Sequence, residues 1–265
     1  MNGSDIADRL EFARVVGGEA AAMARDYFGR IGEIQVSRKG LQDVLTEADG
    51  AIERHLRARI EAAFPGDDVL GEEEGGEARG RTWVVDPIDG TSNFARGLPH
   101  FCVSIAFVAD GATQVGVMDD PIGGTQYWAH RGGGAFRDGK PIRAAGTDDT
   151  RLAMADIGYS RRRPTDDYVE CVRRFLAEGY DVRQAGSAAL ALAQVADGRI
   201  DAFFECHLFA WDVLAGELLV REAGGISSGF LADPKALSQG GPILACAANL
   251  WPSCVALVGA QLLVR

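Results

Sequence analysis

Long apolar runs are missing from this chain: no stretch approaches the ~20 consecutive residues that a membrane-crossing helix needs. The amino terminus, MNGSDIADRLEFARVV, lacks the basic start and unbroken apolar core of a secretory leader, so a cytoplasmic protein is expected. Cysteine is sparse and odd in number. Cys102, Cys171, Cys206, Cys246 and Cys254 are scattered without a CxxC pair, which argues for reduced, buried thiols rather than a disulfide framework. Positive charge is also short, because 27 Lys+Arg against 38 Asp+Glu leave a formal net charge of -11. Neither nucleic acid nor an anionic membrane is expected as a main partner, since a phosphate-rich surface is held by a positive face.

Several cofactor motifs are absent as well. There is no HExxH, no Cys/His cluster and no EF-hand loop, and the four histidines lie far apart, which disfavours zinc. No GxxxxGK[ST] occurs, and no GxGxxG follows a strand. Gly132–Gly134 precedes a strand and an Asp-Gly turn, so it reads as a loop rather than a phosphate cradle.

What the chain does contain is ordered. Ile6, Leu10, Ala13, Val16 and Ala20 follow helical spacing, with Gly29 as a stop. Ala48, Ile52, Leu56, Ile60 and Phe64 recur every four residues and end at Pro65-Gly66. After GEEEGGEARG the texture turns to strands, at 83–85, 102–108, 114–118, 125–129 and 134–137, with tight turns at Asp110-Gly111 and Asp138-Gly139. This half is expected to be a mostly antiparallel meander with helices on one side. From about Arg151, strands alternate with helices, which implies an α/β layered unit. The expected division is an N-terminal α+β lobe at 1–147 and a C-terminal α/β lobe at 148–265.

Three acidic groups stand at element ends. Gly71-Glu72-Glu73 follows a short apolar stretch, Asp86 and Asp89 close a strand, and Trp211-Asp212 opens a late helix. Each has an ordinary reading alone: a solvated acidic loop, turn residues, and a helix cap. Gathered at one rim, the carboxylates would repel one another unless a cation lay between them. Oxygen-only ligation points to a hard ion, Mg²⁺ before Mn²⁺ or Ca²⁺.

Two long motifs change the weight of these readings. "DPIDGTSNF" resembles the DPxDGTxNF signature of the inositol monophosphatase family, and "WDVLAGELLVREAGG" resembles its WDxAAGxxxxxEAGG signature. "DVLTEAD" and "LGEE" precede the first in the family's order, and "GSAALALAQVADGRIDAFFE" is similar to the segment before the second. The resemblance runs from about Lys39 to Gly225. It implies a layered αβαβα fold, a homodimer, and Mg²⁺-dependent, lithium-sensitive hydrolysis of phosphate monoesters.

Carried over by residue, the resemblance makes Glu72, Asp86 and the Ile88 carbonyl ligands of one Mg²⁺, and Asp86, Asp89 and Asp212 ligands of a second, with a weaker third near Glu72. Thr91, hydrogen-bonded to Asp49, and Glu72 would orient and deprotonate the attacking water. Asp89, Gly90, Thr91, Gly186, Ser187, Ala188 and Glu205 would contact the substrate, a small phosphorylated polyol. The Gly90-Thr91 amides would add the positive end of a helix to the phosphate site.

Inositol 1-phosphate is the first substrate implied. Histidinol phosphate, fructose bisphosphate or a nucleotide bisphosphate under the same chemistry is the alternative, and a catalytically silent metal-binding regulator is the alternative of another class. The chain departs from the family pattern at Arg96, where His is usual, and at Val213-Leu214, where small residues are usual. Arg161–Arg163 form a basic loop that reads as solvated surface, or as a contact for a second phosphate or a partner subunit.

Overall fold

A computed structural model describes residues 3–33, 36–40 and 43–259. In chain order it runs through α1 (Gly3–Gly29), the antiparallel pair β1 (Val36–Gly40) and β2 (Asp43–Thr46), and α2 (Glu47–Ala63). Then come β3 (Asp68–Gly71), β4 (Thr82–Asp89), the single-turn α3 (Thr91–Phe94), β5 (Cys102–Ala109), β6 (Ala112–Asp120), β7 (Thr125–His130), β8 (Ala135–Arg137) and β9 (Lys140–Pro141). The remainder comprises β10 (Met154–Ile157), α4 (Thr165–Glu178), β11 (Asp181–Arg183), α5 (Ala188–Ala196) and β12 (Ala202–Leu208). It ends with α6 (Ala210–Glu222), β13 (Ile226–Ser227), α7 (Ala236–Gln239), β14 (Gly241–Cys246) and α8 (Trp251–Val258).

Strands β3 to β9 form one seven-stranded sheet in sequence order, antiparallel throughout except for the parallel β3–β4 pair. The second sheet has the order β11-β10-β12-β14-β13 and mixes parallel with antiparallel pairs. Three apolar clusters hold five layers together. Ala13, Val16, Ile52 and Leu56 of α1 and α2 pack on Trp83, Val85 and Phe107. Leu192, Leu214 and Leu219 of α5 and α6 lie between Val84, Cys102 and Met118 of the first sheet and Phe203 and Ile243 of the second. Phe175 of α4 and Cys254 of α8 cover the outer face, against Ala155, Phe204 and Leu244.

The first sheet is therefore covered on both faces, not one as the sequence suggested. The second cover comes from α5 and α6, which lie far along the chain, and local patterning carries no trace of that contact. Double cover also explains why β4 is buried along its whole length and reads as an unbroken apolar run rather than an alternating one. Its Trp83 belongs to an aromatic group with Phe12, Phe64 and Phe107, ring centroids 5.0–5.5 Å apart. Val213 and Leu214, unusual for their motif, are fully buried between the sheets. The close approach of α6 to the first sheet is made by its neighbours instead: a Cβ on Gly116 of β6 would meet Ala215 Cα at 2.9 Å. All five cysteines are free and buried.

Candidate active site

The site begins with an irregularity in β4. Residues three apart in a regular strand point to opposite faces. In the β4–β5 ladder, however, Asp86 pairs with Ser104 and Asp89 with Cys102, so one extra residue is accommodated between the two aspartates. The bulge turns both carboxylates to the same face, toward α6. Pro87 sits within it, where a missing backbone N–H costs no ladder bond. Ile88, fully buried, points its side chain into the cluster under α1 and α2. Its amide donates to Asp86 Oδ1 at 2.9 Å, and its carbonyl accepts the Thr91 hydroxyl at 3.0 Å.

Asp212, in the first turn of α6, completes the group: carboxylate oxygens of Asp86, Asp89 and Asp212 lie within 4.8 Å of one another. Asp212 also caps its helix, since Oδ2 accepts the Phe209 amide at 2.7 Å. The capping reading and the cluster reading of this residue hold together, because a carboxylate has a second oxygen. Glu72, half-buried after β3, hydrogen-bonds to Asp86. Burial holds the Asp86 carboxyl well above the usual carboxylate range, and the charges of Glu72, Asp89 and Asp212 add to the effect. Asp212 is raised by burial and then by Asp89, against the Phe209 amide.

Asp89 is pushed up to about 6 by burial, against hydrogen bonds from Ser187 and the amides of α5. The Ser187 hydroxyl donates to Asp89 Oδ2, as does the Ala189 amide at 2.8 Å. Ser187 is also the N-cap of α5, accepting from the Leu190 amide at 3.4 Å. A helix start on the second half thus grips a carboxylate from the first. Carboxylates packed this tightly and destabilised by one another form an oxygen-only donor set, which fits a hard divalent cation.

Thr91 donates weakly to Asp49 Oδ1 at 3.3 Å, joining α3 to the start of α2. Gly90, the N-cap of α3, has φ 101°, a conformation that favours glycine, and a Cβ there would meet the His100 carbonyl at 3.0 Å. Helix α3 has only four residues, so its dipole is much smaller than the sequence reading supposed. Asn93, given no role from sequence, ties this turn to the second half: Nδ2 donates to the carbonyls of His100 at 2.8 Å and Ala185 at 2.9 Å.

Beside the cluster lies a pocket of about 200 Å³, lined by Asp89, Ser187, Ala188, Gly186, Glu205 and Asp212 among others. Of the residues singled out as substrate contacts, Asp89, Gly186, Ser187, Ala188 and Glu205 share this lining, and Gly90 and Thr91 do not. Sequence reasoning missed Asp156, Gly158, Tyr159 and Gln184, which also line it. Asp156 carried a usable signal, an acidic residue near the end of a strand. It is 2% exposed and pushed up to about 6 by burial, with the Ala185 amide and Arg183 opposing. Glu205 is pushed up to about 8, by burial first and then by Asp89 and Asp156. Gly158 makes room for it, since a Cβ at 158 would come within 2.6 Å of Glu205 Cδ. From the basic loop, Arg162 places its guanidinium 4.6 Å from the ring centroid of Phe209 and offsets the acidity around Glu205 and Asp212.

Comparison with known proteins places this architecture. A model of the inositol monophosphatase family matches residues 5–258. Nus factor SuhB of Xylella fastidiosa is 40% identical over 220 residues, covering 82% of this chain and 80% of that protein. Inositol-1-monophosphatase of Mesorhizobium japonicum is 42% identical over 216 residues, covering 78% of this chain and 79% of that protein. Among solved structures, the extragenic suppressor protein suhB from Bartonella henselae superposes with a TM-score of 0.89 at 30% identity, covering 96% of this chain and 99% of that one.

Proposed function

Since the chain belongs to the inositol monophosphatase family, we propose that it is a Mg²⁺-dependent phosphomonoesterase whose first substrate is inositol 1-phosphate. The observation that carries this reading is the convergence of Asp86, Asp89 and Asp212 within 4.8 Å, at the wall of a pocket of polyol size. Glu72, Asp86, the Ile88 carbonyl, Asp89 and Asp212 would hold the metal. Bound there, Mg²⁺ supplies charge neutralisation, a more acidic bound water and stabilisation of the leaving alkoxide.

The chain's own residues do the rest. With its one proton directed at Asp49 and the Ile88 carbonyl, the Thr91 hydroxyl would orient the attacking water by accepting a hydrogen bond from it, and Glu72 would receive the water's single transferred proton. Ser187 and the Ala189 amide hold Asp89 in one rotamer, so its second oxygen keeps a fixed direction. Glu205 and Asp156 face the alcohol half of the ester with acceptors for hydroxyl groups. Among the described residues, the pocket lining contains no lysine or arginine, which favours a neutral polyol over a second phosphate at its base.

Phosphate release from inositol 1-phosphate, requiring Mg²⁺ and suppressed by lithium, is the expected result. No release would sink the substrate assignment, and an order-of-magnitude preference for histidinol phosphate or a bisphosphate in a parallel panel would replace it. The name Nus factor, carried by several relatives, favours a second role in a transcription assembly. With a net charge of -11, such a role would run through protein contacts rather than through RNA or DNA phosphate.

A further inference from the structure

Asp49, Glu53 and Arg57 recur every four residues in α2 and so share one face. Both carboxylates are fully buried, which for charged groups demands partners. Asp49 reaches Thr91. Glu53 instead reaches the loop after β3: Oε2 accepts the Glu73 amide at 2.7 Å, and Oε1 accepts the Glu74 amide at 3.0 Å. Arg57 donates from Nε to Glu53 Oε1 at 2.9 Å. The same guanidinium donates to the carbonyls of Val69, at 3.3 Å, and Gly75.

Three of these bonds, to the Glu73 and Glu74 amides and the Gly75 carbonyl, end on the turn that carries Glu72, and a fourth reaches Val69 in the strand that leads into it. That turn is closed by the Gly71 amide on the Gly75 carbonyl at 3.0 Å. It is also moulded on the carboxylate, because a Cβ at Gly71 would lie 2.5 Å from Glu53 Cδ. A buried ion pair that only steadied α2 would have no need of two amides and a carbonyl from one short loop.

We infer that Glu53, braced by Arg57, is a positioning residue that sets where Glu72 stands relative to Asp86 and to the Thr91–Asp49 pair. One helix face thereby spaces the groups assigned to metal binding and to proton transfer. This rests on the reading of Glu72 as a metal ligand given above.

Calorimetric titration of the folded protein with Mg²⁺, with thermal melting alongside, tests it. Glu53→Gln keeps the size of the side chain but turns an N–H toward a backbone amide, and it should weaken Mg²⁺ binding about 10-fold, the low end for residues that orient a ligand. If Glu53 acts through Glu72, the double variant Glu53→Gln/Glu72→Gln should bind no more weakly than Glu72→Gln alone. Wild-type affinity in Glu53→Gln, whatever its melting temperature, would overturn the inference, and so would additive losses in the double variant. Should Glu53→Gln fail to fold, Arg57→Gln enters the same cycle with the same expectations. Wild-type Mg²⁺ affinity in Glu72→Gln would remove the ligand assignment itself, which separates failure of that reading from failure of this one.

Discussion

The two sheets contribute to one site in different ways. The seven-stranded sheet supplies Asp86, Asp89 and Thr91 from a single strand end, with both aspartates buried and turned to one face by a bulge. The five-stranded sheet supplies Asp156 and Glu205 from two strands, with Gly158 making room for the half-buried Glu205. The proposed reaction would need a few groups held rigidly, and a local irregularity of one strand can do that. Recognition of the proposed alcohol would be a matter of pocket shape, and shape is assembled from segments far apart in the chain.

That contrast can be broken most sharply at Asp89. Asp89→Asn should lower turnover at least ~100-fold, the scale for removing a key electrostatic group, with Mg²⁺ binding weakened in parallel calorimetry. Near-normal turnover would mean that the first sheet does not carry the chemistry.

Glu205→Gln should leave turnover largely intact and act on choice. The ratio of kcat/KM for inositol 1-phosphate over glycerol phosphate should fall by up to about 10-fold, as expected for disturbing a hydrogen bond to the alcohol hydroxyls. A matching fall for both esters would instead place Glu205 in the chemistry.

Arg162→Ala should do less. Its exposed contact over Phe209 is worth about 0.5–1 kcal/mol, so a two- to five-fold drop in kcat/KM is expected, shrinking at high salt. A salt-independent drop would show that packing on Phe209, not charge, is what the residue supplies.

Asp119 supplies the control within the first sheet, a buried carboxylate with no expected effect on turnover. Lying under α1, where Gly17 leaves it room, it accepts from Gln126 at 3.0 Å and is pushed up to about 7 by burial. Between about pH 4 and pH 7 the folded state therefore keeps a proton that the unfolded chain has lost, so stability falls as pH rises through that window. Asp119→Asn should flatten this decline and raise the melting temperature at pH 8 by a few degrees. An unchanged pH profile of melting would refute the assignment.

The contrast between sheets also explains what could be read in the sequence. Helices α1 and α2 and most strands were visible because each buries one regular face or ends at a clear Gly, Pro or Asp-Gly stop. The acidic cluster of the first sheet could be anticipated because DPIDGTSNF concentrates its aspartates in one stretch. Strands β3 and β13 are too short for periodicity to show, and β1 and β2 lie in a polar stretch. The cover of the first sheet by α5 and α6 depends on residues about a hundred positions away, which no local pattern records. Asn93 and Glu53 act through backbone groups of other segments, so their side-chain type alone does not disclose what they hold.

The insertion of α5 and α6 between the sheets has a consequence in time. During synthesis Asp86 and Asp89 emerge well before Asp212, and the inner face of the first sheet waits with Val84, Cys102 and Met118 uncovered. At roughly 5–20 residues per second, the stretch between Asp120 and Glu222 takes on the order of ten seconds to follow. The nascent chain thus passes through a stage with an open apolar face and only part of its carboxylate cluster. A Mg²⁺ ion held as proposed would reward only the finished order of layers, and by mass action would then favour that order over any earlier one.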